Sequence, residues 1–347
     1  MKKLIAIALM LCLVLSLAAC GEKAPAEAEY KLGMGVVVST DSSKTGNAQV
    51  DATVATVVTD KDGKIVSCRI DVAQNKMAIE GGAVDTAKTF ETKMELGDRY
   101  GMAGKVDNDG NGVMKEWFEQ TKAFETYVVG KTAAEVEAIQ TQEANGHLIA
   151  TDKALLDAGC SMQITDFVSA VAAACKDEQG MAFKTAATFT LGVAAKTAAA
   201  DSKAATAEAD GLVAMYTDFA AAVVADGKII AALNDAIQPK ININAAGEIV
   251  STDYTATKRV LKEGYNMATY GASMDNNGDG KVLEWYVQSE AYSKYVVGKT
   301  AAEVAALETQ EAGGHLISTD KALLDAGCTI QITAINAVMA QAATNAR

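Results

Sequence analysis

The sequence predicts an α+β protein made of two tandem copies of one module, in which helices pack on an antiparallel sheet. Two observations predict this class: a long internal repeat and, within each copy, alternation typical of strands followed by spacing typical of helices. Residues 127–165 and 295–333 are identical at 32 of 39 positions, at an offset of 168. Because strands come first and helices follow, the pattern favours helices gathered on one face of an antiparallel sheet.

The repeat also predicts the domain organisation. We expect a signal peptide at 1–19, a lipidated N-terminus and polar spacer at 20–29, a first module at 30–178 and a second module at 187–347. The stretch 194–210, rich in Ala, Lys, Asp and Thr, is interpreted as a low-complexity insertion near the start of the second module. A chain of 347 residues is long for one domain and natural for two.

The N-terminus predicts export and lipid anchoring. A basic start is followed by an uncharged apolar run over 4–15 and then by Leu-Ala-Ala and Cys20. A run this short is typical of a signal peptide, because a spanning helix needs about 20 apolar residues. The cysteine after Leu-Ala-Ala is similar to the bacterial lipobox, which implies acyl chains, such as palmitate, on Cys20 and a membrane-bound protein at the extracytoplasmic face. An ordinary secretory signal with a chance cysteine is the alternative.

Charge and cysteine content exclude some classes of protein. The formal net charge is −13, and removal of Lys2 and Lys3 makes it −15. Such a chain has no general attraction for nucleic acid or anionic lipid. There is no CxxC pair and the chain has two histidines, so a structural zinc site is not expected. Apart from Cys12 and Cys20 the cysteines are Cys68, Cys160, Cys175 and Cys328. Disulfides are one alternative, but Cys68 and Cys175 have no counterpart in the second repeat, so we expect small buried residues or free thiols.

Alternation of apolar and polar residues in the first module predicts a β-hairpin, and the residues after it show the spacing of helices. One face of a strand over 48–60 carries Val50, Ala52, Val54, Thr56 and Val58. After a turn at 60–63, one face of the next strand carries Val66, Cys68, Ile70 and Val72. Helices are predicted over 115–129, 152–158 and 166–175, and capping boxes at Thr132–Glu135 and Thr300–Glu303.

A loop rich in Asp, Asn and Gly precedes the tryptophan helix of each module and is a candidate calcium site. Both loops match D-x-[DN]-x-[DN]-G, whose oxygen side chains suit calcium. The candidate ligands are Asp107, Asp109 and Asn111, and then Asp275, Asn277 and Asp279. Position 12 is Phe118 or Tyr286 instead of Glu, and the nearest acids are Glu116 and Glu284. A plain turn is the alternative.

Two groups of residues are candidates for holding a cofactor. Trp117 and Trp285 lie in aromatic-rich helices, and an apolar aromatic wall suits a planar ring such as a flavin, although packing in the core is the alternative. A glutamine and a lysine follow the predicted hairpin in each module and could bind a carboxylate or phosphate at a strand exit, or form an exposed turn. These pairs are Gln74 with Lys76 and Gln238 with Lys240.

Nothing in the sequence indicates a hydrolase or a nucleotide-dependent transferase. His147 and His315 lie in Gly-His-Leu-Ile segments that we expect between helices, as solvated or packing residues. No GxSxG, HExxH, P-loop or GxGxxG context is present. Catalysis is therefore expected, if at all, only as an accessory to a redox role.

The segments 30–40, 48–76, 92–102 and 115–132 resemble a group of uncharacterised surface lipoproteins of anaerobic Gram-positive bacteria. Those proteins are similar to the FMN-binding domain of flavinylated electron-transfer subunits, and the resemblance covers most of both modules. It implies FMN and a membrane redox partner.

The flavin-bearing family esterifies FMN to a threonine in a Ser-Gly-Ala-Thr motif. Here Gln163 and Gln331 stand where the resemblance would put that threonine. The departure implies noncovalent FMN, no flavin at all, or attachment in a shifted register at Ser161, Thr165, Thr329 or Thr333.

Three functions follow from these observations. The first is flavin-linked or quinone-facing electron transfer by a membrane-anchored extracytoplasmic lipoprotein. The second is binding of a small ligand or calcium without redox chemistry. The third is a structural or adhesive role, for which duplicated modules on a tether are suited.

Overall fold

A computed structural model describes residues 27–105, 107–253, 256–269 and 275–347. The predicted signal peptide and Cys20 lie outside these residues. Helices and antiparallel sheets are both present, which confirms the α+β class. Among the described helices, none has the length and apolarity needed to cross a membrane.

The fold begins with long strands and continues with short helices. The strands are β1 Ala28–Ser39, β2 Asn47–Asp60, β3 Ile65–Ala78, β4 Thr141–Ala144, β5 His147–Ala150, β6 Met181–Thr185, β7 Thr190–Ala198, β8 Gly211–Ala214, β9 Tyr216–Ala225, β10 Lys228–Ile237, β11 Lys240–Ile243, β12 Ile249–Asp253, β13 Thr309–Ala312 and β14 His315–Ser318. The helices are α1 Lys93–Leu96, α2 Trp117–Tyr127, α3 Ala133–Glu137, α4 Lys153–Asp157, α5 Thr165–Lys176, α6 Lys258–Leu261, α7 Trp285–Tyr295, α8 Ala301–Ala305, α9 Lys321–Asp325 and α10 Thr333–Thr344.

The strands form two main sheets, a smaller sheet and two hairpins. The first main sheet has the order β3-β2-β1-β6 and the second the order β10-β9-β7. A smaller sheet has the order β12-β11-β8, and β4-β5 and β13-β14 are separate hairpins. Strand β6 lies between the two predicted modules and pairs with β1, from Ala28 opposite Thr185 to Leu32 opposite Met181.

The two main sheets face each other across a shared apolar core. One cluster of buried side chains joins Leu32 and Val54 of the first sheet to Leu191 and Phe219 of the second. Two further clusters lie on the opposite faces of the sheets, where each sheet packs against its own helices. Each main sheet is therefore buried on both faces. For this reason, the alternation of residue types along a strand does not tell which face of the sheet is buried.

Helix α5 packs on β1 and β2, and helix α10 packs on β7 and β9. Glycines in the strands permit this close approach. A Cβ at Gly35 would lie 2.2 Å from the carbonyl oxygen of Ala170, and a Cβ at Gly192 would lie 1.9 Å from that of Ala342. The helices therefore lie closer to the sheets than any side chain at these positions would allow.

A bulge corrects one part of the predicted strand pattern. The hairpin of β2 and β3 shifts register between Val58 and Thr59, so that Thr59 pairs with Ile65. Ile65 is buried as a result, and Val66, which we predicted to share the face of Cys68 and Ile70, is 37% exposed. The predicted strand over 48–60 and both predicted capping boxes are confirmed.

The interpretation of 194–210 as an insertion is wrong for its first part. Residues up to Ala198 belong to β7, which pairs with β9 along nine residues, from Thr190 to Ala198. Ala194 and Ala195 are buried in the core. Small residues in this stretch therefore serve sheet packing, and their low complexity reflects the close approach of α10 and of the facing sheet.

Candidate functional site

A cleft of about 540 Å³ lies in the second module, at one end of its main sheet. The ends of β7, β9 and β10, helix α6, the start of α7, the β13-β14 hairpin and the start of α10 all contribute to its wall. Its principal side chains are Asp201, Tyr216, Asp218, Gln238, Lys258, Tyr265, Met267, Asn276, Trp285, His315, Ile330, Gln331 and Ile335. The volume suits a small ligand, and the wall combines apolar side chains with numerous polar and charged ones.

Lys258 lies in the wall of this cleft as the first residue of α6. Thr257 caps the helix by accepting a hydrogen bond from the backbone N–H of Val260 at 3.3 Å. The ammonium group of Lys258 lies 5.1 Å from the ring centre of Trp285 and 4.8 Å from that of Tyr265. Burial lowers the pKa of this side chain, which is 8% exposed, to about 8, while Asp218 and Asp235 act in the opposite direction.

Two carboxylates accompany the lysine. Burial raises the pKa of Asp218 to about 6, and the neighbouring Lys258 partly offsets this effect. Asp235 is 4% exposed and accepts hydrogen bonds from the backbone N–H groups of Ala236 at 2.8 Å and Arg259 at 3.1 Å. Burial also raises the pKa of Asp235, with Arg259 acting against that rise. The cleft therefore holds an acid and a base whose pKa values are both moved toward neutrality.

The two predicted glutamine–lysine pairs occupy different environments. Gln238 follows the last residue of β10 and accepts a hydrogen bond from the hydroxyl of Tyr265 at 2.7 Å, within the cleft. Lys240 begins β11, opposite Asp253, and is not part of the cleft wall.

The prediction of a turn or strand exit is wrong for the pair in the first module. Gln74 and Lys76 lie inside β3, opposite Asp51 and Gln49 of β2. Strand β3 continues to Ala78, whereas β10 ends before Pro239, which has no N–H to donate to a sheet. The structure therefore brings Gln238 and Trp285 to one cleft and places Gln74 and Lys76 in a sheet.

The tryptophan of the first module has a related setting and is buried to nearly the same extent as Trp285, which is 4% exposed. Lys93, at the first residue of α1, lies 5.6 Å from the ring centre of Trp117 and 4.9 Å from that of Tyr100. Trp117 is 3% exposed and meets Phe167 edge to face, with ring centres 5.9 Å apart. Trp117 is therefore a core residue, which was the alternative interpretation of the sequence. Trp285 is a core residue too, and it also lines the cleft.

The predicted calcium loops are held by their own side chains. In the first loop, Asp107 accepts from the backbone N–H of Gly112 at 3.0 Å, and Asp109 accepts from the side chain of Asn111 at 2.6 Å. In the second loop, Asp275 accepts from Gly280 at 2.9 Å. The side chain of Asn277 donates to Asp279 at 3.1 Å. Among the described residues no group of three or more His, Cys, Asp or Glu side chains is placed to hold a metal.

The acids nearest to these loops are used elsewhere. Glu116 accepts hydrogen bonds from the backbone N–H groups of Met102 at 2.9 Å and Ala103 at 3.0 Å. Glu284 accepts equivalent bonds from Met267 at 2.9 Å and Ala268 at 3.0 Å. Each carboxylate fixes the preceding loop to the start of its tryptophan helix, so it does not complete a cation site.

The histidines lie at the start of short strands and not in a linker between helices. His147 begins β5 and is exposed, and His315 begins β14 and is half-buried. His315 lies in the cleft wall, which the sequence did not indicate. Lys258, Asp218 and Asn276 were also missed, although the recurrence of Thr92-Lys93 as Thr257-Lys258 was a signal for the lysine.

The fold and the cleft define an α+β protein with a site of small-molecule size. No protein-family model matches the chain, and no solved structure matches it. It is similar to a chlorophenol reductase of Desulfitobacterium hafniense, with 30% identity over 131 residues. The match covers 33% of this chain and 38% of the relative's length.

Proposed function

We propose that this chain is a lipid-anchored extracytoplasmic protein whose second module binds a planar aromatic redox ligand, with a flavin ring as the leading candidate. The observation that carries the proposal is the cleft beside Trp285, in which an aromatic wall adjoins the buried Lys258. A planar ring gains from apolar burial in this cleft, and Lys258 offers a donor to a ring carbonyl or anion.

Two further observations support a redox ligand. Gln331, which stands where the resemblance would put a flavin-bearing threonine, lies in the cleft wall. The curated relative is named a reductase of chlorophenol, which is a planar aromatic compound. A membrane redox partner, or a quinone in the membrane, would then exchange electrons with the bound ligand.

The residues of the cleft fit the flavin ring better than the phosphate of FMN. Asp201 and Asp218 would repel a phosphate, and Lys258 already lies beside Asp218. The hydroxyls of Ser161 and Thr329 are buried, at 1% and 4% exposure of their residues, and neither residue lines the cleft. Thr165 and Thr333 are half-buried first residues of α5 and α10 and are not in the cleft wall either.

The protein's own groups would position such a ligand and set its protonation. Lys258 donates to an acceptor on the ring edge, and its charge favours an electron-rich, anionic form. Asp218, with a pKa of about 6, can hold or release a proton near neutral pH. A bound flavin would supply the electron transfer itself.

The test has two parts. The native protein, purified from its own host under mild conditions, should be yellow and release flavin on denaturation. Trp117 and Trp285 are the two tryptophans of the chain, so a Trp117→Phe variant makes Trp285 the sole indole reporter. Riboflavin should quench this variant saturably and leave the matched Trp285→Phe variant without saturable quenching. A colourless protein with no saturable quenching of Trp285 would refute the proposal.

Anchoring is tested separately. Mass spectrometry of the mature N-terminal peptide should find it starting at acylated Cys20. An intact Met1 or an unmodified thiol at Cys20 would contradict the lipid anchor and leave the cleft's ligand as a separate question.

Calcium binding is the second candidate, and one observation favours it in the first loop. The Oδ1 atoms of Asp107 and Asp109 expose less than 1 Å² each and have no hydrogen-bond partner among the described residues. These two atoms offer oxygen ligands to a cation. Millimolar calcium should raise the melting temperature of the parent protein and not that of an Asp107→Ala, Asp109→Ala variant. An equal rise in the melting temperature of both proteins would exclude calcium binding at this loop.

A further inference from the structure

The cleft contains a buried hydrogen-bond acceptor that the protein itself leaves unused. Asn276 is 8% exposed, and its Nδ2 donates to the carbonyl oxygen of Thr329 at 2.8 Å. This bond fixes the orientation of the amide, because only the nitrogen can donate to a carbonyl. Its Oδ1 exposes less than 1 Å², and no donor among the described residues reaches it.

In the first module the corresponding oxygen has a donor within the protein. Asn108 is the counterpart of Asn276 at the repeat offset of 168, and its Nδ2 donates to the carbonyl oxygen of Ser161 at 2.8 Å. Its Oδ1 accepts a long hydrogen bond, 3.5 Å, from the side chain of Asn145 in the β4-β5 turn. The first module therefore supplies its own donor.

The second module lacks this donor because of a difference at a single position. Asn145 corresponds to Gly313, one of the seven differences within the 39-residue repeat. Both residues have a left-handed backbone, with φ of 52° at Asn145 and 58° at Gly313, so the turn is preserved while the side chain is removed. A Cβ at Gly313 would lie 2.6 Å from Oδ1 of Asn276, so any side chain there would cover the acceptor.

We infer that Asn276 Oδ1 is a recognition point for a hydrogen-bond donor, an N–H or O–H, on the edge of the ring that the cleft binds. This inference rests on the proposed function and adds the chemistry of the ligand's edge. Lys258 in the same wall supplies a donor for an acceptor or anion. The ligand class is therefore a planar ring that carries both a donor and an acceptor, such as a ring imide, lactam or phenol.

An unpaired buried acceptor supports this assignment energetically. A buried oxygen without a partner destabilises a protein, so a ligand that supplies the missing donor recovers that free energy on binding. A site with an unpaired acceptor also discriminates strongly between ligands, because an analogue without the donor leaves the oxygen unpaired and its free-energy cost uncompensated. Donor-bearing ligands should therefore bind about tenfold more tightly than their methylated analogues.

The experiment compares matched probes and matched variants in the Trp117→Phe background, with Trp285 fluorescence as the readout. The probes are lumiflavin, which has a ring N–H, and 3-methyllumiflavin, in which a methyl group replaces that hydrogen. Lumiflavin should bind about tenfold more tightly. Gly313→Asn should weaken lumiflavin binding by a similar factor and leave the methylated probe unchanged, because the new amide satisfies Oδ1 internally.

The control is Asn145→Gly in the first module, which should leave both affinities unchanged. Asn145 shows that asparagine adopts this backbone conformation, but a Cβ at Gly313 would lie 2.6 Å from Oδ1 of Asn276, so the turn must shift and Gly313→Asn should melt below the parent's temperature; affinities are therefore compared at a temperature at which both proteins are folded. If that variant fails to fold, the affinities of the parent protein for lumiflavin and 3-methyllumiflavin test the inference on their own. Equal affinity for the two probes would overturn this inference and leave ligand binding intact, whereas binding of neither probe would overturn the proposed function and this inference with it.

Discussion

Arg259 of the second module donates to Asp177 of the first, with the guanidinium nitrogen 3.0 Å from Oδ2 and both side chains less than 10% exposed. The same guanidinium donates to the carbonyl oxygen of Gln179 at 2.8 Å, and the side chain of Gln179 donates back to the carbonyl oxygen of Arg259 at 2.8 Å. Arg259 follows Lys258 directly in α6. One short helix therefore presents a lysine to the cleft and an arginine to the other module.

Loss of this arginine should destabilise the whole chain. Arg259→Ala leaves the carboxylate of Asp177 buried without its cationic partner, and we expect a loss of about 3 kcal/mol in the free energy of unfolding. Urea unfolding monitored by far-ultraviolet circular dichroism measures it. The matched control is Lys262→Ala, whose ion pair with Glu178 is exposed and 3.8 Å long, and which should change stability by less than about 0.5 kcal/mol. Equal effects of the two substitutions would contradict the role of the buried pair.

Glu125 should make stability decrease as pH rises. Burial raises the pKa of this carboxyl from 4.5 to about 7, although Ile70, Arg69 and Arg347 favour its charged form. Between these two values the unfolded chain binds fewer protons at this site than the folded one, so stability falls from about pH 4.5 to 7 and levels off above. The contribution is at most roughly 3 kcal/mol.

Glu125→Gln should reduce the fall in stability across that range without abolishing it, because Asp218, whose pKa is raised to about 6, acts in the same direction; urea midpoints at several pH values measure the difference. Glu137→Gln is the control, because Glu137 is exposed in its ion pair with Lys176. A slope in Glu125→Gln as steep as that of the parent would show that another group titrates.

The close approach of α5 to β1 should make Gly35 intolerant of any side chain. Gly35→Ala places a Cβ 2.2 Å from the carbonyl oxygen of Ala170 and 2.6 Å from the backbone nitrogen of Ala174. The helix must move, and we expect a loss of more than about 2 kcal/mol. Gly264→Ala is the control, because nothing lies within 4 Å of its Cβ position, and it should leave the melting temperature nearly unchanged. A small effect at Gly35 would mean that the helix and strand are further apart.

Labelling of the thiols should report both the burial of the cysteines and the removal of the predicted signal peptide. Cys68, Cys160 and Cys328 are buried, and burial raises the pKa of the half-buried Cys175 to about 11. In the native protein at pH 8 we therefore expect slow labelling by a disulfide reagent, with Cys175 first. In denaturant, a chain cut before an acylated Cys20 should show four thiols, and an intact chain should show the six of the full sequence.

The hairpin and the capping boxes could be predicted because their signals are local. Thr132 and Glu135 stand three residues apart, and both of their reciprocal hydrogen bonds are present. The bulge at Val66 could not be predicted, because this extra residue of β3 points away from the core without any change in the alternating pattern. Local sequence patterns determine helices and strands, whereas the register between strands depends on contacts between these elements.

The cleft was harder to predict because its residues come from distant segments. Asp218, Lys258 and Asn276 belong to a strand, a short helix and a loop, and no spacing in the sequence connects them. The replacement of Asn145 by Gly313 was visible in the repeat. Its meaning required the position of Asn276 beneath the turn.

The face-to-face contact of the two main sheets has a thermodynamic consequence. A solitary copy of the module would present the apolar surface around Leu32 and Val54 to water, and two such copies would cover it by dimerising. Covalent linkage makes that encounter unimolecular, so it no longer depends on protein concentration. The two halves would therefore stay together at any dilution of the protein.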